Sequence, residues 1–314
     1  MSADLLKNPI FHDESKAREW LEARIWRNGP TCPHCGNADQ NRIRSLEGKA
    51  HRPGLYQCNE CREQFTVTVG TVFERSKLPL TKWLAALFLL VSSKKGISAH
   101  QIHRMLGITY KSAWFMMHRL REAMRSDDLS PLGGEGKTVE IDETVLGRQE
   151  GMPSTKHVKG WVYRNIVLTL VERGGSARSW HVDATTVGTL IPIIRANVAH
   201  ETAVMTDQAS WYKRLNQDGR FASHDTVDHS ANEYVRGHIT TNTVEGYYSI
   251  FKRGMKGVYQ HCGEKHLHRY LAEFDFRYSN RIAVGCNDEM RADKLAAGIV
   301  GKRLTYRRTD GAQL

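Results

Sequence analysis

The chain has 314 residues, enough for two or three domains, and its 40% apolar and 25% charged residues are ordinary for a protein that buries a real core. Lys and Arg outnumber Asp and Glu by 45 to 34, giving a formal charge of +11 and a pI near 9.4, which points to an anionic partner such as nucleic acid. The amino terminus lacks a signal-peptide pattern, and the longest apolar run, Trp83 to Val91, is far short of the ~20 residues that span a bilayer. A cytoplasmic protein without a membrane partner is expected.

The first motif is a pair of Cys-x-x-Cys knuckles, Cys32 and Cys35 in TCPHCG and Cys58 and Cys61 in YQCNEC, with 22 residues between them. In a reducing compartment such pairs read as one tetrahedral Zn²⁺ site rather than as disulfides. The surrounding segment is too short for its own hydrophobic core, so bound metal supplies folding energy. Alternation over Gln64 to Val69 suggests a strand after the second knuckle and hence a zinc ribbon. His34 and His51 are bystanders to a site that already has four thiols.

From Pro79 the periodicity turns helical. LTKWLAALFLLVSSKKG reads as a buried helix stopped by Gly96, ISAHQIHRMLG as a short helix capped by Ser98 and ended by Gly107, and ITYKSAWFMMHRLREAM as a helix starting near Thr109. Two short helices joined at a glycine turn fit a helix-turn-helix, with Lys111 and His118 among the residues offered to a DNA groove. A plain helical hairpin has the same sequence signature. SDDLSPLGGEGK, residues 126 to 137, reads as a linker.

KTVEIDETVLG alternates as a strand, with Glu140 and Asp142 on one face and Val139 and Ile141 on the other. Two further strands follow in hairpin fashion, then a helix over ATTVGTLIPIIRANVA, a short strand ending at Asp207, a helix over QASWYKRLNQ, a strand in HDTVDH and a helix over HITTNTVEGYYSIFKRG. That is the element order of a ribonuclease-H-like fold. Its first and fourth strands are neighbours, so Asp142 and Asp207 meet at the sheet while Glu245 closes the site from the last helix. Between Asp142 and Asp207 lie 64 residues, and between Asp207 and Glu245 lie 37. Taken singly, each acid reads equally well as a helix cap or a solvated side chain. Three carboxylates from different elements suit two Mg²⁺ or Mn²⁺ ions, which prefer oxygen ligands and serve phosphoryl transfer. By strand alternation Glu143 points away from Asp142, and Asp183 ends a strand too far from the fourth. His229 and His238 lie near the acids, where either could contact DNA or position water. Cys262, His266 and His268 have poor spacing for a metal.

The pieces TCPHCG, YQCNEC, VEIDET, VMTDQASWY, HITTNTVEGYYSIFKRG and HLHRYLAEFDFRYSNR resemble bacterial insertion-sequence transposases of the Merlin type, over nearly the whole chain. The resemblance implies a zinc ribbon, a helical region and a DDE integrase-like domain, and with them DNA cleavage and strand transfer at terminal inverted repeats. It assigns catalysis and metal binding to Asp142, Asp207 and Glu245 and a DNA contact to Lys252. Some relatives use an asparagine third, which leaves Asn242, one turn before Glu245, as a group supporting the site together with His238. Lys252 lies seven residues after Glu245 on nearly the same helical stripe, and Arg253 and Lys256 extend that basic surface.

The expected architecture is therefore multi-domain α/β. An amino-terminal helix and zinc ribbon occupy 1–75, a helix-turn-helix-like region 76–128, a linker 129–137, a ribonuclease-H-like mixed sheet flanked by helices 138–285, and a basic tail 286–314. Its expected partners are double-stranded DNA, as element ends and target, and further copies of itself, acting on the bacterial nucleoid. A regulator that keeps only DNA binding, and a ribonuclease-H-like nuclease, are the alternative functions.

Overall fold

The computed structural model describes residues 7–152, 161, 163–217, 219–228, 231, 233 and 235–305. The chain divides into two compact units, Met1–Arg125 with Asn287–Leu314, and Ser126–Cys286.

The first unit begins with a helix, α1 (Glu14–Ile25), whose first amides are capped by the Asp13 carboxylate at 2.7 and 3.1 Å. A small antiparallel sheet follows, β1 (Ile43–Leu46), β2 (Leu55–Cys58) and β3 (Gln64–Phe65), in that order. Its core is little more than Cys32, Cys58 and Phe65 with Trp26, Ile43 and Tyr56 against them. The strand expected over Gln64 to Val69 is only two residues long, because the backbone turns at Thr66–Val69 and again at Thr68–Thr71.

Three helices come next, α2 (Leu80–Ser92), α3 (Ala99–Leu106) and α4 (Tyr110–Ala123). The first ends four residues before Gly96, where the Ser92 and Ser93 hydroxyls donate back to the Phe88 and Leu89 carbonyls and compete with its continuation. Ser98 and Gln101 form a capping box on α3, Gly107 ends it at φ 58°, and Thr109 caps α4, as the sequence predicts.

In the second unit the linker reading does not hold. Leu132 is buried, its amide and carbonyl pair with Asn197 and Ala199, and a side chain at Gly133 would collide with Thr202. The sheet is built from β4 (Thr138–Arg148), β5 (Arg164–Glu172), β6 (Ala177–Val182), β7 (Ala203–Asp207) and β8 (Ser223–Val227), with α5 (Val187–Asn197) between β6 and β7. The spatial order is β6-β5-β4-β7-β8, antiparallel across the first three and parallel from β4 to β8. Seven of the nine residues of β5 are buried, as expected of a strand covered on both faces.

One face packs on α5 and on a 3₁₀ helix, Ser210–Gln217, through Val139, Ile141, Leu168, Leu190, Ile194 and Tyr212. The other packs on α6 (Asn242–Gly254) and α7 (Leu267–Ser279) through Val167, Val171, Tyr248, Phe251 and Phe274. The segment expected as a helix from His238 opens instead as a short hairpin, β9 (Val235–Arg236) and β10 (Ile239–Thr240), and turns helical at Asn242. Beyond α6 the winding loosens into a π-helix, Met255–Tyr259. This is the ribonuclease-H-like arrangement of a mixed sheet between helical layers that the element order predicts.

The region expected as a basic tail from 286 contains a last helix, α8 (Asp288–Ala297), capped by Asn287. It belongs to the first unit, where Arg291 donates to the Val91 carbonyl and Asp293 pairs with Arg24 at 2.5 Å. Its apolar side, Ala292, Leu295 and Ala296, is buried, so the segment returns to the amino-terminal unit as core. Residues 306–314 lie outside the described residues.

Candidate active site

The four knuckle cysteines converge. Cys32 and Cys61 sulfurs are 3.6 Å apart, Cys35 and Cys58 sulfurs 3.7 Å, and all four lie within 4.8 Å of one another. A tetrahedron with Zn–S bonds of ~2.3 Å has edges of about 3.8 Å, so the cluster fits one structural zinc ion. The backbone amides of Cys61 and Glu60 and the Asn37 side chain hold the Cys58 thiol down to about 6, which favours the thiolate a metal needs.

The acidic site follows from strand register. β4 and β7 pair in parallel from Thr138–Ala203 to Glu140–Met205. Two residues further along stand Asp142, within β4, and Asp207, at the carboxyl end of β7, just past the point where these two strands part. Asp142 accepts from the Glu143 amide at 2.8 Å, and Asp207 from the Ala209 amide at 2.9 Å. The local cap at Asp207 and its place in the site are therefore compatible.

Glu143 overturns an expectation. Its carboxylate lies with those of Asp142 and Asp207, all within 4.8 Å, rather than on the far side of the sheet. Alternation is obeyed along β4, since Ile141 and Glu143 face the layer that holds Tyr212 while Asp142 faces α6. With the β4–β7 ladder ended at Glu140, however, no strand separates the two faces on the β7 side, although β5 still pairs on the other, and both carboxylates reach one opening. The Tyr212 hydroxyl donates to Glu143 from the buried side.

Burial, then the nearby charges of Glu143, Asp207 and Glu245, push the Asp142 carboxyl well above its usual range. Burial raises Glu143 to about 7 against the pull of the Tyr212 hydrogen bond. Among the described residues no Lys or Arg forms an ion pair with Asp142, Glu143 or Asp207. Like charges gathered this closely and left without a protein cation suit a divalent metal ion.

Glu245 stands across the cleft on α6. It lines one cavity of about 500 Å³ with Asp142, Glu143, Trp161, Tyr248, Ser249 and Lys252, and its carboxylate accepts from Thr241 at 2.9 Å. The α6 position is fixed in part by the Tyr248 hydroxyl, which donates to the Asp142 carbonyl at 2.6 Å and to the Val167 carbonyl at 3.1 Å.

The other sequence-picked residues separate by position. Lys252 lines the same cavity and lies over the Tyr248 ring at 5.9 Å. Arg253 is exposed and bonded to Ser249, and Lys256 opens into an adjoining groove with Arg148, Asn165 and His261. Lys111 is exposed at the first turn of α4. His118 is 1% exposed and packs against Trp114, because it falls on the buried stripe with Met117 and Arg121; its reading as a DNA contact is withdrawn. Asn242, expected as a group supporting the site, is exposed, and the Thr241 hydroxyl donates to Glu245. His238 is exposed on the hairpin, and His229 lies outside the described residues. Among the described residues Cys262, His266 and His268 form no metal-ready group.

The chain is similar to known proteins in both its zinc-ribbon and its mixed-sheet parts. Residues 131–279 match the ISXO2-like transposase domain family, and residues 12–64 match the transposase zinc-ribbon domain family. The chain is therefore similar to a transposase zinc-ribbon domain near its amino terminus and to an ISXO2-like transposase domain over its second unit, the two parts that the motifs imply. A relative described as an uncharacterized protein in transposable element ISH50, from Halobacterium salinarum, is 28% identical over 280 residues, 85% of this chain and 91% of the relative. A chain of the simian T-cell lymphotropic virus intasome in complex with PP2A regulatory subunit B56 gamma aligns with a TM-score of 0.28 and 12% identity, over 55% of this chain and 63% of that one. Among the described residues no helix is long and apolar enough to cross a membrane.

Proposed function

We propose that the protein is a DDE-type DNA transposase that cleaves and joins DNA at the terminal inverted repeats of an insertion sequence, with Asp142, Asp207 and Glu245 as its catalytic acids. One observation carries the reading: Asp142, whose carboxylate gathers with those of Glu143 and Asp207 where β4 and β7 part, also lines a cleft with Glu245 and Lys252 of α6. Asp142, Asp207 and Glu245 would hold two Mg²⁺ or Mn²⁺ ions, with Glu143 as a further carboxylate beside them. Bound there, the ions supply the positive charge that activates an attacking oxygen and stabilises a leaving one.

The chain's own residues do the rest. Lys252, Arg253 and Lys256 run along α6 and its π-helical extension and grip the phosphates of the strand led into the cleft. No side chain needs to act as the nucleophile, since water serves for cleavage and a DNA 3′-hydroxyl for joining. Lys111 at the start of α4 offers a contact to DNA from the helix-turn-helix of the first unit, beside a zinc ribbon folded on its metal. Two element ends must be processed together, so the active form is a homo-oligomer on DNA, working on the nucleoid in the cytoplasm.

The test is incubation of the protein with labelled DNA bearing the parent element's ends, an unlabelled target and Mg²⁺ or Mn²⁺. Cleavage at the end followed by covalent joining to the target supports the transposase reading. Cleavage without joining supports the nuclease, and binding without cleavage supports the regulator.

A further inference from the structure

Glu140, two residues before Asp142, is fully buried, and both of its carboxylate oxygens are engaged. One carboxylate oxygen accepts from the Thr243 amide at 2.7 Å and the Val244 amide at 3.0 Å; the other accepts from the Thr243 hydroxyl at 2.7 Å and Arg173 Nε at 2.6 Å. Arg173 in turn donates to the carbonyls of His238 at 2.8 Å and Thr240 at 3.0 Å, with Met205 Sδ at 2.9 Å from the same guanidinium. Thr243 and Val244 are in the first turn of α6, where helix amides have no acceptor of their own, and the preceding Thr241 supplies no side-chain cap. A strand residue therefore caps a helix.

A buried carboxylate is costly to desolvate and is sustained only where its hydrogen bonds are satisfied, as they are here by two amides, a hydroxyl and the partly exposed Arg173 guanidinium. What this arrangement fixes is a distance. It locks the first turn of α6 to β4 one residue pair short of Asp142, and Glu245 lies in the very next part of that helix, between the Glu140 clamp and the Tyr248 anchor. We propose that Glu140, with Arg173, is a positioning residue: it sets Glu245 against Asp142 so that the two can share a divalent cation. The inference rests on the reading of Asp142 and Glu245 as metal-holding acids.

The test compares wild type with Glu140→Gln, which leaves Arg173 without its anionic partner, and Thr243→Val, which deletes one hydrogen bond at a partly exposed site. Three quantities are measured on the full chain: exchange of the 241–248 amides without metal, Mn²⁺ affinity without DNA, and the Mg²⁺ concentration giving half-maximal cleavage. Glu140→Gln is expected to speed exchange over 241–248, weaken Mn²⁺ by roughly tenfold or more, and raise the Mg²⁺ requirement equally, with DNA affinity changed less than about twofold. Thr243→Val is expected to move the same quantities by about threefold.

Should Glu140→Gln fail to fold, Thr243→Val decides. Wild-type Mn²⁺ affinity and Mg²⁺ requirement in the folded variants would overturn the inference, even if their thermal stability fell. Asp142→Asn separates this failure from that of the underlying reading: Mn²⁺ binding and cleavage that survive Asp142→Asn would remove the metal site itself, and the positioning role with it.

Discussion

At the scale of single residues, the acid that strand alternation sets aside is the one whose titration is most informative. In metal-free protein Glu143 is raised from 4.5 to about 7 by burial, so its neutral form is the one the fold prefers. Its contribution to stability is full below the unfolded value and is lost as pH rises through the folded one, with a ceiling on the order of 3 kcal/mol. Glu143→Gln, which can still accept from Tyr212, should therefore gain stability relative to wild type between pH 5 and pH 8 in buffer without Mg²⁺ that leaves the ribbon's zinc in place, and the gap should shrink with Mg²⁺ present. Denaturant titrations at the two pH values check this; a pH-independent difference contradicts it. On α4, Lys111→Ala should weaken DNA binding and reduce the salt slope by about 1, as expected for a lost phosphate contact. His118→Ala should instead cost about 2 kcal/mol of folding stability, as expected for a cavity in the core, while leaving the salt slope unchanged. The difference between these two residues was not legible from sequence, because both fall on one amphipathic helix and only the packing of its neighbours decides which side is covered.

At the scale of elements, the hydrophobic and polar periods carried far. The order of the five strands of the mixed sheet, the cap at Ser98, the stop at Gly107 and the start of α4 near Thr109 followed from local chemistry, and the neighbouring of β4 and β7 followed from element order. Asp142 and Asp207 were legible for the same reason, as acids on strands that the element order makes neighbours, although Asp207 ends β7 while Asp142 is only the fifth of the eleven residues of β4. Glu143 was not, since where a ladder stops is a tertiary fact. The glycine-rich stretch before β4 looked like a linker because its buried contact depends on one residue, Leu132, and on close approach at Gly133. The last helix looked like a tail because its apolar face is only Ala292, Leu295 and Ala296, too small to stand out from its charges. The tie between α6 and β4 offers an element-scale prediction. Tyr248→Phe leaves the buried Asp142 and Val167 carbonyls short of a donor and should cost about 1–3 kcal/mol, read by denaturant unfolding of the full chain.

At the scale of the whole molecule, the zinc ribbon and the mixed sheet draw their stability from different sources. The ribbon core is small and depends on four thiolates around one ion, whereas the mixed sheet has an apolar cluster on each face. A strong chelator, or Cys32→Ser, should therefore abolish amide protection in β1 and β2 while β4, β5 and β7 keep theirs, as read by hydrogen exchange. The central claim is that the acids of the second unit form a metal-dependent site for DNA cleavage. Its most direct test is the single-turnover cleavage rate of an element end in Mg²⁺ for wild type, Asp142→Asn, Asp207→Asn and Glu245→Gln, with DNA affinity measured alongside. The account predicts a loss of at least about 100-fold in rate for each variant at nearly unchanged DNA affinity. Wild-type cleavage by any of the three would contradict it.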